Sequence, residues 1–114
     1  MSAITTHVLD TSRGCPADGV PVILETQLAE GGWTPIGQGV TDADGRLKEL
    51  VPQGYVIGEG VYRLTFDTGT YFAAQGVQSF YLSVVVVFTV RDAAQHYHVP
   101  LLLSPYGYST YRGS

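Results

Sequence analysis

Cysteine is nearly absent. Cys15 stands alone among 114 residues, so no disulfide can form within the chain and no cysteine pair offers a zinc-ribbon spacing. Charge is scarce too, at 14% of residues against roughly a quarter in an average globular domain. Lys and Arg number six against ten Asp and Glu, for a net charge of −4. There is no basic stripe of the kind that holds a phosphate backbone, which excludes a nucleic-acid partner. No apolar run approaches the roughly 20 residues of a membrane span, so no membrane partner is expected; the longest, Val84 to Phe88, is of strand length. The opening residues Met1-Ser2-Ala3-Ile4-Thr5-Thr6-His7 show neither the basic n-region nor the apolar h-region of a secretory signal. With an unpaired thiol as well, the reducing cytoplasm is the expected compartment.

What is present is apolar. Hydrophobic residues make up 45% of the chain, which excludes a disordered polymer, and the length suits one domain spanning residues 1–114. So apolar a chain with so few charges points to an oligomer, part of its surface being covered by copies of itself. Turn signals recur at sandwich-like spacing: Gly14-Cys15-Pro16, Asp18-Gly19, Gly31-Gly32, Asp44-Gly45, and a longer loop from Pro52 to Gly60. Between them lie eight β-rich runs: Ile4–Leu9, Val22–Gln27, Trp33–Val40, Arg46–Leu50, Val61–Phe66, Val84–Val90, Tyr97–Leu103 and Tyr106–Tyr111. The Asp44-Gly45 dipeptide predicts a tight hairpin with both residues tolerating positive φ, so that Arg46 opens the next strand from a rigid turn. A helix of one to two turns is predicted over Tyr71–Gln75, between Thr70 as N-cap and Gly76 as stop. In the valine run, Val84 and Val86 share one face and Val85 and Val87 the other. A strand apolar on both faces is expected to be covered on both, by its own sheet and by a partner.

Three histidines are the obvious chemistry-bearing residues. His7 lies in the first predicted strand. His96 and His98 are two apart in another, hence on one face, which Pro100 and Leu102 share. Imidazole suits proton transfer near neutral pH and also ligates metals. Spacing alone leaves three readings open: two solvated surface histidines, an acid–base pair, or a three-histidine zinc set with His7. Asp42-Ala43-Asp44-Gly45-Arg46 is no calcium loop, because the acidic spacing does not continue and the terminal Glu is missing. Arg46 is either a solvated edge charge or a fork of donors for a carbonyl or oxyanion. The tail Tyr111-Arg112-Gly113-Ser114 is either a frayed end or a donor set closing with a free carboxylate. Trp33, Cys15 and Tyr62 are assigned to packing.

Three segments, Thr6-His7-Val8-Leu9-Asp10, Thr41-Asp42-Ala43-Asp44-Gly45-Arg46 and His96-Tyr97-His98-Val99-Pro100-Leu101-Leu102-Leu103, together with the Tyr-Arg-Gly-Ser end, make the chain resemble the 5-hydroxyisourate hydrolases. These are the transthyretin-related enzymes of urate breakdown, and the resemblance spans essentially the whole chain. It implies an all-β fold, a prealbumin/transthyretin-like eight-stranded β-sandwich of two four-stranded sheets with one short helix. It also implies a homotetramer, a dimer of dimers, with sites in the channel between dimers. The implied activity is hydrolysis of 5-hydroxyisourate to 2-oxo-4-hydroxy-4-carboxy-5-ureidoimidazoline without metal or other cofactor. The family's catalytic positions fall on His7, Arg46 and His98, and its substrate-binding tail on Tyr111, Arg112, Gly113 and Ser114. His96, on the same face as His98, is a secondary substrate-binding candidate. One departure is visible: family members often show Pro-Glu where this chain has Leu82-Ser83. The rival reading is a hormone carrier like transthyretin itself, which has Lys, Glu and Thr at the positions matching His7, Arg46 and His98 and lacks the Tyr-Arg-Gly-Ser end.

Overall fold

The computed structural model describes residues 3–114; Met1 and Ser2, with which the expected domain opens, lie outside the described residues. The order of elements is β1 (Ile4–Asp10), β2 (Cys15–Pro16), β3 (Pro21–Gln27), β4 (Trp33–Val40), β5 (Arg46–Leu47), β6 (Gly60–Phe66), α1 (Thr68–Ala73), β7 (Val84–Val90), β8 (Tyr97–Ser104) and β9 (Gly107–Thr110). All eight predicted strands are present. Arg46–Leu50 contracts to Arg46–Leu47, and the two-residue strand Cys15–Pro16 is an addition. One sheet runs β2-β1-β8-β9 with β5 also on β1, and the other runs β4-β3-β6-β7. No described helix is long and apolar enough to cross a membrane.

Period-two alternation decides what each sheet buries. On β6 the inward residues are Tyr62, Leu64 and Phe66, and on β3 they are Val22 and Leu24, all in the core. On β8 Tyr97, Val99, Leu101 and Leu103 point inward, which turns His98, Pro100 and Leu102 outward. On β1 Ile4 and Val8 are fully buried, so Thr5, His7 and Leu9 take the outer face. The parallel register of β1 with β8 sets Thr5 opposite His98, His7 opposite Pro100 and Leu9 opposite Leu102. The outer face of this sheet is therefore the wall that carries the histidines.

Two local expectations are corrected. The Asp44-Gly45 turn does not join two strands of one sheet. It carries the chain from β4, in one sheet, to β5, in the other, where Arg46 pairs with His7. Only Gly45 has positive φ there, at 75°, and Asp42 braces the turn by accepting from the Asp44 and Arg46 N–H groups. The helix begins earlier than predicted. Asp67, not Thr70, is its cap, since the Asp67 carboxylate accepts from both the N–H and the hydroxyl of Thr70. Gly76 does end it, with the Gly76 N–H on Ala73 O and the Val77 N–H on Phe72 O. As for the valine run, β7 is an edge strand whose Val85 and Val87 are 47% and 56% exposed; among the described residues nothing covers that face, which is the one expected to meet a partner. At Leu82, where the family's Pro is missing, the Leu82 carbonyl accepts from the Gly69 N–H at 3.0 Å.

Candidate active site

Arg46 reaches the histidine wall because the turn before it is docked on β1. The Val8 N–H donates to Gly45 O at 2.7 Å, and His7 Nε2 donates to Asp44 O at 2.8 Å. Gly45 is required here twice over: its φ is positive, and a Cβ would collide with the Val8 carbonyl. The result is an antiparallel step in which Arg46 faces His7. An open cleft of about 230 Å³ lies beside this step, lined by Thr5, Thr6, Arg46, Lys48, His96, His98 and Ser114. Two of the chain's six Lys and Arg residues thus stand at one cleft in a protein of net charge −4. Arg46 makes no salt bridge among the described residues, which leaves its guanidinium free for an oxygen-rich ligand.

Hydrogen bonds set the states of the imidazoles. A carbonyl can only accept, so His7 carries its proton on Nε2 when neutral and offers Nδ1 elsewhere. His98 meets Thr5 Oγ1 through Nδ1 at 2.8 Å, and His96 meets the same oxygen through Nε2 at 3.0 Å. The two rings lie nearly parallel, 16° apart with centroids 6.4 Å apart, as the spacing of two predicts. Burial pushes the His98 pKa below the ordinary imidazole range, and the neighbouring His7, His96 and Arg46 push it the same way. The charged form of His98 is therefore disfavoured, and its neutral form has a lone pair available on one nitrogen.

The tail folds back over this wall, but not all of it enters the cleft. The Gly113 N–H donates to His98 O at 2.8 Å in an isolated antiparallel bridge, and Ser114 lines the cleft. A Cβ on Gly113 would stand 2.7 Å from His98 Cδ2 and 3.2 Å from Pro100 Cγ, so the tail approaches His98 this closely only because residue 113 is glycine. Tyr111 and Arg112 line a different cavity, of about 390 Å³, with Val86, Phe88 and Tyr97. Arg112 donates to Gln95 Oε1 at 2.9 Å and stacks its guanidinium 4.4 Å from the centre of the Tyr97 ring. Of the residues expected from the sequence, His98, His96, Arg46 and Ser114 share the cleft, Gly113 touches His98, and His7 borders it. Tyr111 and Arg112 are held apart from it.

Thr5 and Lys48 line the cleft without having been expected there. Both had a legible signal: Thr5 is two residues before His7 and Lys48 two after Arg46, spacings that share a face on a strand. The convergence that a three-histidine metal site needs does not occur. His96 and His98 meet at Thr5 while His7 turns its Nε2 to Asp44, and no group of three His, Cys, Asp or Glu among the described residues is placed to hold a metal ion.

Comparison with known proteins gives a consistent picture. The model of the HIUase/transthyretin family matches residues 4–113. A 5-hydroxyisourate hydrolase of Salmonella typhimurium is 48% identical over 97% of this chain and 80% of its own length. The crystal structure of sea bream transthyretin in complex with thyroxine superposes with a TM-score of 0.92 at 37% identity, covering 98% of this chain and 95% of that one. The 5-hydroxyisourate hydrolase of Klebsiella pneumoniae does so at 0.84 and 37%, covering 97% and 98%.

Proposed function

The chain belongs to the HIUase/transthyretin family, and from that premise we propose that it is a hydrolase acting on 5-hydroxyisourate in urate degradation. The observation that carries the choice is the cleft itself: a half-buried histidine beside a lysine and an arginine that makes no ion pair among the described residues. An apolar hormone gains nothing from that set, whereas a flat, amide-rich ring with several carbonyls meets a base, a fork of donors and a second cation. The overall superposition does not separate the alternatives, since a thyroxine-binding transthyretin and a hydrolase share this fold. His7, Arg46 and His98 favour the hydrolase, since the resemblance implies Lys, Glu and Thr at those positions in a carrier.

In the proposed reaction water adds to the ring carbonyl carbon and the N1–C6 bond opens. His98 takes the proton from the attacking water. Arg46 donates to the carbonyl oxygen as it gains negative charge. The ring nitrogen that leaves takes a proton, and the product is 2-oxo-4-hydroxy-4-carboxy-5-ureidoimidazoline. Ser114 and Gly113 hold the mouth of the cleft, with Tyr111 and Arg112 bracing the tail from the neighbouring cavity. No cofactor enters the scheme.

We further propose a homotetramer built as a dimer of dimers, in one domain spanning the chain and located in the cytoplasm. Two observations support the assembly. The cleft of about 230 Å³ is smaller than the roughly 300–1,000 Å³ of an ordinary ligand pocket and stays open on one side, so a second copy facing it would enclose the substrate. The edge strand β7 also leaves Val85 and Val87 exposed, an apolar edge that association would cover. The direct test of the activity follows the absorbance of freshly prepared 5-hydroxyisourate with and without the protein. Decay at the spontaneous rate in both would refute the assignment, and thyroxine binding without hydrolysis would favour the carrier.

A further inference from the structure

One hydroxyl serves two imidazoles. Thr5 Oγ1 lies 2.8 Å from His98 Nδ1 and 3.0 Å from His96 Nε2, and Thr5 is only 6% exposed. A hydroxyl has one proton to give and two lone pairs with which to accept. It can donate to one of these nitrogens and not to both, so at least one ring must present an N–H to it. The three groups are thus linked through a proton count rather than merely placed side by side.

We propose that Thr5 is a positioning residue that couples His98 to His96 as a proton relay, so that the charge His98 acquires in the reaction is shared with His96 at the exposed end. The proposal rests on the reading of His98 as the base and adds to it the route by which the base is restored. At rest His98 Nδ1–H donates to Thr5 Oγ1, and the Thr5 hydroxyl donates to His96 Nε2. This leaves His98 Nε2 without a proton and free for water. As the water oxygen bonds to the carbonyl carbon, its proton goes to Nε2 and His98 holds two. The Nδ1 proton then passes to Thr5 Oγ1 while the Thr5 proton passes to His96 Nε2. In the second half the Nε2 proton goes to the leaving nitrogen as its bond to carbon breaks. Nδ1 regains a proton from Thr5, and Thr5 regains one from His96. Every group ends as it began.

Electrostatics explains why such a relay is useful here. Arg46 and Lys48 line the cleft together with His98, and His7 on β1 acts on His98 in the same direction as Arg46. A full positive charge fixed on His98 would stand among cations in a half-buried position. His96 is exposed, where water stabilises the charge, and Arg112 engages the backbone carbonyl of His96 rather than its ring.

The test uses Thr5→Val, which keeps the volume and removes the hydroxyl, with Thr5→Ser as the variant that restores it. The relay predicts that kcat falls by about ten- to a hundred-fold in Thr5→Val with KM unchanged, that the acid limb of the pH profile moves, and that Thr5→Ser recovers most of the loss. Wild-type kcat and pH profile in Thr5→Val would overturn the relay. So would a loss that follows thermal stability and leaves the pH profile in place. Independently of activity, nitrogen-15 spectra of the wild-type histidines should find neutral His98 protonated on Nδ1 and His96 Nε2 unprotonated. Neutral His98 protonated on Nε2 would overturn the resting arrangement. These spectra read the relay even in a protein without hydrolysis, which separates its failure from failure of the proposed function.

Discussion

Strand β1 carries two polar networks, one on each of its faces, and they are built on opposite terms. At its inner end Asp10 is fully buried, and its carboxylate accepts from the Ser12 N–H, the Ser12 hydroxyl, the Arg13 N–H and the Tyr71 hydroxyl. Three of these donors meet Oδ1 and the Tyr71 hydroxyl meets Oδ2, so the carboxylate only accepts and each donor has one oxygen to meet. At the outer face Thr5 has one proton for two imidazoles. Burial alone would raise the Asp10 pKa, but the hydrogen bonds outweigh it and hold the carboxyl below its ordinary range. His98 is moved down as well, but by burial and by like charges, which is a penalty on its charged form rather than support for it. The accept-only carboxylate fixes α1 on β1 through Tyr71. A hydroxyl shared by two imidazoles has, on the proposed relay, a proton to pass on. The same strand thus contributes rigidity on its inner face and reactivity on its outer one.

The sharpest way to break this contrast is to remove the base. His98→Asn keeps size and polarity, so each sandwich should fold as before while turnover falls by a factor on the order of 10²–10⁴. Circular dichroism and the 5-hydroxyisourate absorbance assay, run on the same sample, read both halves of the claim. Near-normal turnover in a folded His98→Asn protein would remove His98 from the mechanism. His96→Asn should cost less and match Thr5→Val in size, since both cut the relay beyond the base.

Much of this arrangement is legible in the residues, and the parts that are not share a cause. Alternation alone places His96 and His98 on one outer face and Val99, Leu101 and Leu103 in the core. Local turn chemistry, in contrast, cannot tell whether Asp42–Gly45 closes a hairpin or crosses between sheets. That depends on the pairing of Arg46 with His7, 39 positions away, and no dipeptide encodes it. The cap of α1 is ambiguous for a similar reason: Asp67 and Thr70 are both good caps, and Asp67 prevails because its two oxygens engage Thr70 twice. The strand Cys15–Pro16 exists only through its register with Leu9 and Asp10. Thr5 was readable as a neighbour of His7 on one face, but its partners come from the parallel register with β8. The tail is legible as a donor set, yet its division between two cavities follows from Arg112 stacking on Tyr97.

A second test addresses the inner network and should change stability rather than chemistry. Tyr71→Phe removes one hydrogen bond to a buried carboxylate, at 2.7 Å in the native protein, and should cost about 1.5–3 kcal/mol at pH 7. The sign with pH follows from the direction of the shift. A carboxyl whose folded pKa is depressed contributes stability above the unfolded value of about 3.9 and loses it as pH falls through the folded value. The penalty of Tyr71→Phe should therefore shrink in acid, where Asp10 is protonated in both states. Urea unfolding of the two proteins at pH 7 and at successively lower pH measures it, and a penalty that stays constant as far down as both proteins remain folded would mean that the hydroxyl is not supporting a charge. Specific activity of the folded fraction should be unchanged, in contrast to His98→Asn.

The smallest effect expected is at Gly113, and it probes how the two halves of the site meet. This glycine is not needed for its backbone angle, since it is not among the positive-φ glycines. It is needed for space, because a methyl group would stand 2.7 Å from His98 Cδ2, closer than carbon atoms pack. His98 cannot easily give way, being held by Thr5 on Nδ1; the tail, exposed at Tyr111, Arg112 and Ser114, can. In Gly113→Ala the tail should lift, breaking the bond from the Gly113 N–H to His98 O at 2.8 Å and drawing Ser114 away from the cleft. A substrate that loses one hydrogen bond to the withdrawn Ser114 loses about 1 kcal/mol, or roughly fivefold in binding. The expected outcome is a KM raised about fivefold with kcat nearly unchanged, because the base and its relay are intact. If kcat fell instead while KM held, His98 would have moved rather than the tail, and the imidazole would be the softer partner in that contact.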